Sequence, residues 1–237
     1  LLEEELGVRL LSRISRGIQA TQQGDLLYRH AKTILRQVDN TRILLSKNEG
    51  NVSGNVSVGM PSSTAKLLAL RLMRLVKERY PSIVLEIVDV PSADLTSLVA
   101  HGRVDFSLVP DPQKPKDMRF LPLFREELYL MTSRGVIAGT KKVSLKKIAE
   151  LPLILPSMPN TLRSRLEHAF LRANLTFNLF GEASTSAILI PAVRAGLAAT
   201  ILPYSAAHEE ILNQQVEIHA IEGGFGRDVY LCTSNTL

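Results

Sequence analysis

Four stretches of the chain put hydroxyl side chains where an α-helix should begin. Pro61-Ser62-Ser63-Thr64 follows an alternating strand pattern and opens a leucine-rich helix. Pro91-Ser92 follows a second strand, Pro156-Ser157 precedes a helix starting near Thr161, and Ala183-Ser184-Thr185-Ser186 precedes another. The first turn of a helix leaves N–H groups unpaired and carries the positive end of the dipole, so it can hold an anion or polar group without a charged side chain. Ser and Thr are also ordinary N-caps, and at any one position capping alone explains them. Their recurrence at strand ends points to a common cleft, since open α/β sheets bind ligands beyond the carboxyl ends of their strands. Ser62, Ser63, Thr64, Ser92, Ser157, Thr161, Ser184 and Thr185 are the candidate contacts to a small polar or anionic metabolite.

Catalysis needs a nucleophile and a base placed together, and no such motif is present, so no catalytic residue is assigned. Gly223-Gly224-Phe225-Gly226 lacks the Lys and Ser/Thr of a phosphate loop and reads as a turn. His101 and Asp105 fall where a helix end runs into a strand, and a histidine there complements the helix dipole. The histidines lack the spacing of a metal pair, and Cys232 is the single cysteine, so neither a metal site, a disulfide nor a cofactor is expected.

The 237 residues, at roughly 150 per domain, suit one core plus a sizeable extra piece, or two small lobes. With 45% hydrophobic and 22% charged residues the composition is that of a soluble globular protein, not a disordered or collagen-like one. The longest uncharged stretches, 151–162 and 195–208, are broken by proline and fall short of the roughly 20 apolar residues of a membrane span. The net charge of +5 is too small to identify a partner, but Arg9, Arg13 and Arg16 fall within nine residues that hold no acid.

Leu1 to Gly7 reads as the end of a helix stopped by glycine, in a chain expected to be missing its start. Residues 8–20 read as a hairpin with Arg16-Gly17 near its tip, and Thr21 as the N-cap of a helix from Gln22 to about Asn48. On that helix Leu27, Ala31, Ile34, Val38, Thr41 and Leu45 alternate at spacings of four and three, a coiled-coil stripe that calls for a partner helix. Residues 49–54 read as a linker. Strands at 55–60, 83–90 and 104–109 alternate with helices at 64–80 and 92–102, the signature of a parallel α/β sheet. Helices at 145–150, 161–173, 187–195 and 205–212, with strands at 153–155, 177–181 and 198–202, make a second lobe. Extended runs at 128–133 and 229–234 are its crossovers and a hinge.

The run from Leu2 to Leu11, with Arg13, Arg16-Gly17 and Thr21-x-x-Gly24, resembles the end of the winged helix-turn-helix of LysR-type transcriptional regulators, followed by their dimerising linker helix. The remainder resembles that family's effector domain, a two-lobed fold like type 2 periplasmic binding proteins. Gly102-x-x-Asp105 and Arg194-Ala195-Gly196-Leu197 through Leu202-Pro203 stand where such motifs occur. Ala198 replaces the second glycine of the usual Gly-Leu-Gly, and Pro191 sits inside the preceding helix. Leu10-x-x-Arg13-x-x-Arg16-Gly17-Ile18, Tyr28-x-His30-Ala31 and Ile34-Leu35-Arg36-Gln37 are most similar to the nitrogen assimilation control branch.

The resemblance implies an α/β protein divided as wing 1–21, dimerisation helix 22–48, linker 49–54, lobe I 55–131, lobe II 132–229 and a return crossover 230–237. The family's recognition helix would precede Leu1 and its C-terminal helix would follow Leu237. It implies a cytoplasmic bacterial regulator that binds DNA through Arg9, Arg13, Arg16 and Gly17 and assembles as a homodimer to homotetramer. Its partners would be a small-molecule effector and RNA polymerase, with no membrane. The alternatives are a periplasmic-type solute-binding protein without DNA binding, which needs neither basic hairpin nor heptad helix, and an enzyme on the same scaffold.

Overall fold

The computed structural model describes residues 1–14, 17–45, 52–137 and 142–235. The acidic opening forms a short helix, α1 (Leu2–Leu6), closed by Gly7 at φ 65°. One oxygen of Glu3 accepts the backbone N–H groups of Leu10 (2.6 Å) and Leu11 (2.9 Å), and these two donors hold its carboxyl below the ordinary carboxylate range. That contact docks α1 on the hairpin of β1 (Leu11–Ile14) and β2 (Gly17–Ala20), which pair antiparallel. Arg16, expected at the hairpin tip, lies outside the described residues.

Thr21 joins this unit to the long helix α2 (Gln22–Leu45). Its hydroxyl accepts the N–H of Gly24 at 3.0 Å and donates to the carbonyl of Arg9 at 2.6 Å, while its own N–H donates to Leu10. Gly24 is required by contact: a Cβ there would stand 2.0 Å from the Leu10 carbonyl oxygen. The expected helix limit of Asn48 and residues 49–51 of the expected linker lie outside the described residues.

Lobe I contains β3 (Ser53–Met60), α3 (Ser62–Arg79), β4 (Ser82–Asp89), α4 (Leu95–Ala100) and β5 (Phe106–Pro110), with β3 between β4 and β5 and parallel to both. β3 starts inside the expected linker because Ser53 and Gly54 already pair with Ser82 and Ile83. α3 starts two residues before the expected Thr64, since the Pro61 carbonyl takes the N–H of Ala65. β6 (Met118–Thr132) runs for 15 residues where only 128–133 were expected to be extended. Its first half is an edge of the lobe I sheet, where Arg119, Pro122 and Arg125 are tolerated because one side faces no partner.

Lobe II repeats the scheme. It holds β7 (Lys142–Val143), α5 (Leu145–Ala149), β8 (Pro152–Pro156), α6 (Thr161–Arg172), β9 (Asn178–Ala183), α7 (Ser186–Arg194), β10 (Thr200–Pro203), α8 (His208–Leu212) and β11 (Glu217–Ile221). β8 pairs parallel with β9 on one side and bridges Ala199, just before β10, on the other. Both lobes thus share the order second, first, third strand, and in each a long strand closes the set antiparallel: β6 beside β10, and β12 (Gly226–Ser234) beside β5. The short strands β7 and β11 were not anticipated. The expected helix 205–212 breaks into a 3-10 turn (Tyr204–Ala206) and α8, whereas α7 continues through Pro191, whose carbonyl accepts the N–H of Ala195.

β6 and β12 are the two crossovers. Residues 118–127 of β6 pair with β12, and residues 128–132 pair with β10 and β11, so the partners change at Leu128 and the chain rejoins the lobe I strands at Gly226. The lobes have separate cores: Leu130, Leu153, Leu166, Phe170, Leu189 and Ile201 in lobe II, and Leu95, Val99, Val104, Val109, Met118 and Cys232 in lobe I. Burial pushes the Cys232 thiol up to about 11. Two cores joined by two strands make a hinge.

The Gly24 contact gives the first expectation. Gly24→Ala forces the hairpin away from α2 and costs about 1–3 kcal/mol in denaturant unfolding, the range for overpacked sites. Unchanged stability together with an intact Thr21 cap would contradict the close packing.

Candidate ligand-binding cleft

The carboxyl ends of β3, β4, β8, β9 and β10 converge on a cavity between the lobes, with about 470 Å3 of unfilled space, part of it open to solvent. Lobe I supplies Pro61, Ser62, Ser63, Val90, Pro91 and Ser92; lobe II supplies Pro156, Asn160, Leu162, Ser184, Thr185, Ser186, Leu189, Leu202 and Pro203; Arg227 enters from β12. Hydroxyls come from both sides, Ser62, Ser63 and Ser92 from lobe I and Ser184, Thr185 and Ser186 from lobe II, where Leu162, Leu189 and Leu202 add apolar surface.

Three helix N-termini face the cavity, and they differ. In α6 the Asn160 side chain accepts the N–H groups of Leu162 and Arg163, and in α7 Thr185 accepts the N–H of Ala187. α3 begins after Pro61 with no side-chain cap. The hydroxyls also differ in what they can still donate. Ser62 gives its proton to Asp89 at 2.7 Å, and Ser92 and Thr161 bond to each other across the cleft at 3.1 Å. Ser63 accepts from Arg227 and Thr185 accepts from Ala187, so each keeps its own O–H for a ligand.

Arg227 is the one ionisable side chain in the wall and is only 4% exposed. Its Nε donates to Glu126 Oε2 at 2.7 Å and its Nη2 lies 2.7 Å from the same oxygen, while Nη2 also reaches Ser63 Oγ at 3.1 Å. Glu126 Oε1 accepts the hydroxyl of Ser205 in the 3-10 turn of lobe II. Arg227 and Glu126 stand directly opposite each other on β12 and β6. Gly226 permits this register, because a Cβ there would come within 2.9 Å of the Glu126 carbonyl. The pair therefore sits on both hinge strands and reaches one lobe through Ser63 and the other through Ser205. Two further ties cross between the lobes: Lys66 of α3 meets Glu210 of α8 at 2.8 Å, and Arg165 of α6 meets Asp111, just after β5, at 2.7 Å.

Of the residues singled out from sequence, Ser62, Ser63, Ser92, Ser184 and Thr185 line the cavity. Thr161 stands at its edge through Ser92. Thr64 and Ser157 are not among its lining residues: Thr64 is buried in α3's first turn, its Oγ1 without a partner among the described residues, and the backbone N–H of Ser157 donates to the Ala183 carbonyl. Sequence reasoning missed Arg227, Asn160 and the apolar surface. Asn160 before a leucine-rich helix carried a capping signal; Arg227 carried none, because it follows glycines read as a turn.

The candidate DNA contacts Arg9, Arg13 and Gly17 are exposed on the hairpin unit. On α2, Leu27 and Ala31 are half-buried against their own chain, whereas Ile34, Val38 and Thr41 are exposed, Ile34 at 59%. The side chain of Leu45 lies outside the described ones. Among the described residues no three potential ligands group around a metal position, and no helix is long and apolar enough to cross a membrane.

Residues 49–236 match the LysR substrate binding domain family. The nitrogen assimilation regulatory protein nac of Klebsiella aerogenes is 30% identical over 207 residues, covering 87% of this chain and 67% of that protein. The full-length regulator CbnR, solved in complex with its target DNA, superposes with a TM-score of 0.75 at 19% identity over 100% of this chain and 81% of its own. The effector-binding domain of QuiR, solved with shikimate, superposes with a TM-score of 0.69 at 16% identity, covering 78% of this chain and 90% of that one.

The Lys66–Glu210 tie predicts a pH dependence. Burial raises the Glu210 carboxyl, but the hydrogen bond and charge of Lys66 outweigh it and hold the group below its ordinary value. The stability this contact adds is therefore present above the ordinary carboxylate pKa and is lost as the pH falls through the lower folded value. Glu210→Gln should cost more in urea unfolding near pH 7 than near pH 3. A cost that does not shrink on acidification would contradict the assignment.

Proposed function

The chain belongs to the LysR family of transcriptional regulators, and from that premise we propose that it senses a small polar or anionic metabolite between its lobes and passes the result to DNA through α2. The observation that carries the reading is the cleft itself, where strand ends and helix starts of both lobes and the buried Arg227 line one cavity. The shikimate complex of QuiR supports ligand binding at this level of the fold. A ligand shifts the lobes only by the difference in its affinity for their arrangements, and the hinge at β6 and β12 supplies the moving element.

The exposed Ile34 and Val38 on α2 form a stripe that a second copy would cover, giving a homodimer and, with contacts between lobes, a tetramer. Arg9, Arg13 and Arg16 contact DNA phosphates beside the recognition element of the intact protein, and RNA polymerase is the further partner. The protein works in the cytoplasm, binds its ligand without converting it, and needs no cofactor. The lobes alone would equally suit a solute receptor, but a basic hairpin docked on a long helix has no use in one.

The test uses the intact protein on promoter DNA, titrated with candidate metabolites. At least one should change affinity or bending, and an unchanged complex throughout would count against sensing. For the hairpin, Arg13→Ala should lower the slope of log affinity against log salt on duplex DNA by about one, uniformly across sequences. An unchanged slope would remove Arg13 from the interface.

A further inference from the structure

We propose that Glu126 sets the charge of the ligand: the cleft takes a carboxylic acid with one negative charge and an apolar remainder, and rejects its dianionic counterpart. The proposal rests on the reading of the cleft as the ligand site and adds a rule that the reading does not contain.

Arg227 is the cavity wall's one ionisable side chain, and it is not a free cation. Glu126 holds it from behind, and both oxygens of Glu126 are engaged, Oε2 by Arg227 and Oε1 by Ser205, so the carboxylate is fixed in place. A second carboxylate, Asp89, is tied to the wall by Ser62 at 2.7 Å. The local field therefore comes from one cation and two anions. A single carboxylate can still be seated. The uncapped start of α3, the remaining O–H of Ser63 and the edge of Arg227 all favour it.

A second anionic group finds no equivalent seat. The N-termini of α6 and α7 are already capped by Asn160 and Thr185, and the facing lobe II side offers Leu162, Leu189 and Leu202 with the uncharged hydroxyls of Ser184, Thr185 and Ser186, but no second cation. Setting a second charge there strips its water and returns only neutral hydroxyl donors, and Glu126 and Asp89 repel it. The same leucines reward a hydrocarbon remainder. Selection here works by rejecting the wrong ligand as well as holding the right one.

The experiment compares isovalerate with 2-methylsuccinate, which share a carbon skeleton and differ by one methyl exchanged for a carboxylate. Calorimetric titration of the whole chain should give isovalerate at least about tenfold tighter. In Glu126→Gln the preference should fall to within about threefold, because the fixed repelling charge is gone. Asp89→Asn, at an exposed position, should narrow it partly, and it decides the matter alone if Glu126→Gln does not fold. Equal or tighter binding of 2-methylsuccinate by the unaltered chain, a preference that the folded variants leave unchanged, or no binding of either acid would overturn the charge rule. Failure of the cleft as a sensor is distinguishable from these, since DNA binding would then respond to no metabolite at all. A protein whose DNA binding answers a metabolite but which ignores both acids overturns the charge rule alone.

Discussion

Arg227 and Glu126 face each other where the two strands that join the lobes run side by side, and their ion pair is the contact on which the lobe arrangement depends. Each charge is nearly removed from water, and each would be costly alone. Together they satisfy each other, and their remaining hydrogen bonds lead outward, to Ser63 at the start of α3 and to Ser205 before α8. A displacement of either lobe changes the geometry of this pair. Under the proposed function, a ligand that engages Arg227 from the cavity would act on the joining strands directly, without a relay through packed side chains.

The rest of the architecture makes that pair consequential. Each lobe has its own core and the same strand order, and β6 and β12 are the strands shared between them. The charged ties at Lys66–Glu210 and Arg165–Asp111 and the Ser92–Thr161 hydrogen bond span the lobes away from the strands. Such partly exposed contacts are individually weak and can be exchanged during a rearrangement. At the other end, the Glu3 and Thr21 contacts make the hairpin and α2 one piece, so motion delivered to α2 reaches the basic hairpin.

Much of this was legible in the sequence, for local reasons. The helix starts near Ser62 and Thr185 could be read because apolar periodicity and, at Thr185, capping are local properties, whereas the helix expected from Ser92 begins only at Leu95. The Thr21 cap and the α2 stripe were legible for the same reason. Arg227 and Glu126 were not: one follows a glycine turn, the other stands in an Arg-Glu-Glu run that resembles any solvated face, and only the register of β12 on β6 brings them together. The first half of β6 was hidden by its charged edge residues, β7 by its two-residue length, and β11 by the Glu and His that interrupt its apolar run. Thr64 and Ser157 stand at helix-start positions outside the cavity lining, because hydroxyl position along a helix start does not fix which way it faces.

The most direct measurement is a double-mutant cycle in denaturant unfolding of the whole chain with Glu126→Gln, Arg227→Met and both together. The account predicts that each single change costs about 3–5 kcal/mol, because it strands a buried partner, and that the double variant recovers at least about 2 kcal/mol of the summed loss. Strictly additive losses would mean that the two charges do not depend on each other, and would contradict the pair's place at the centre of the hinge.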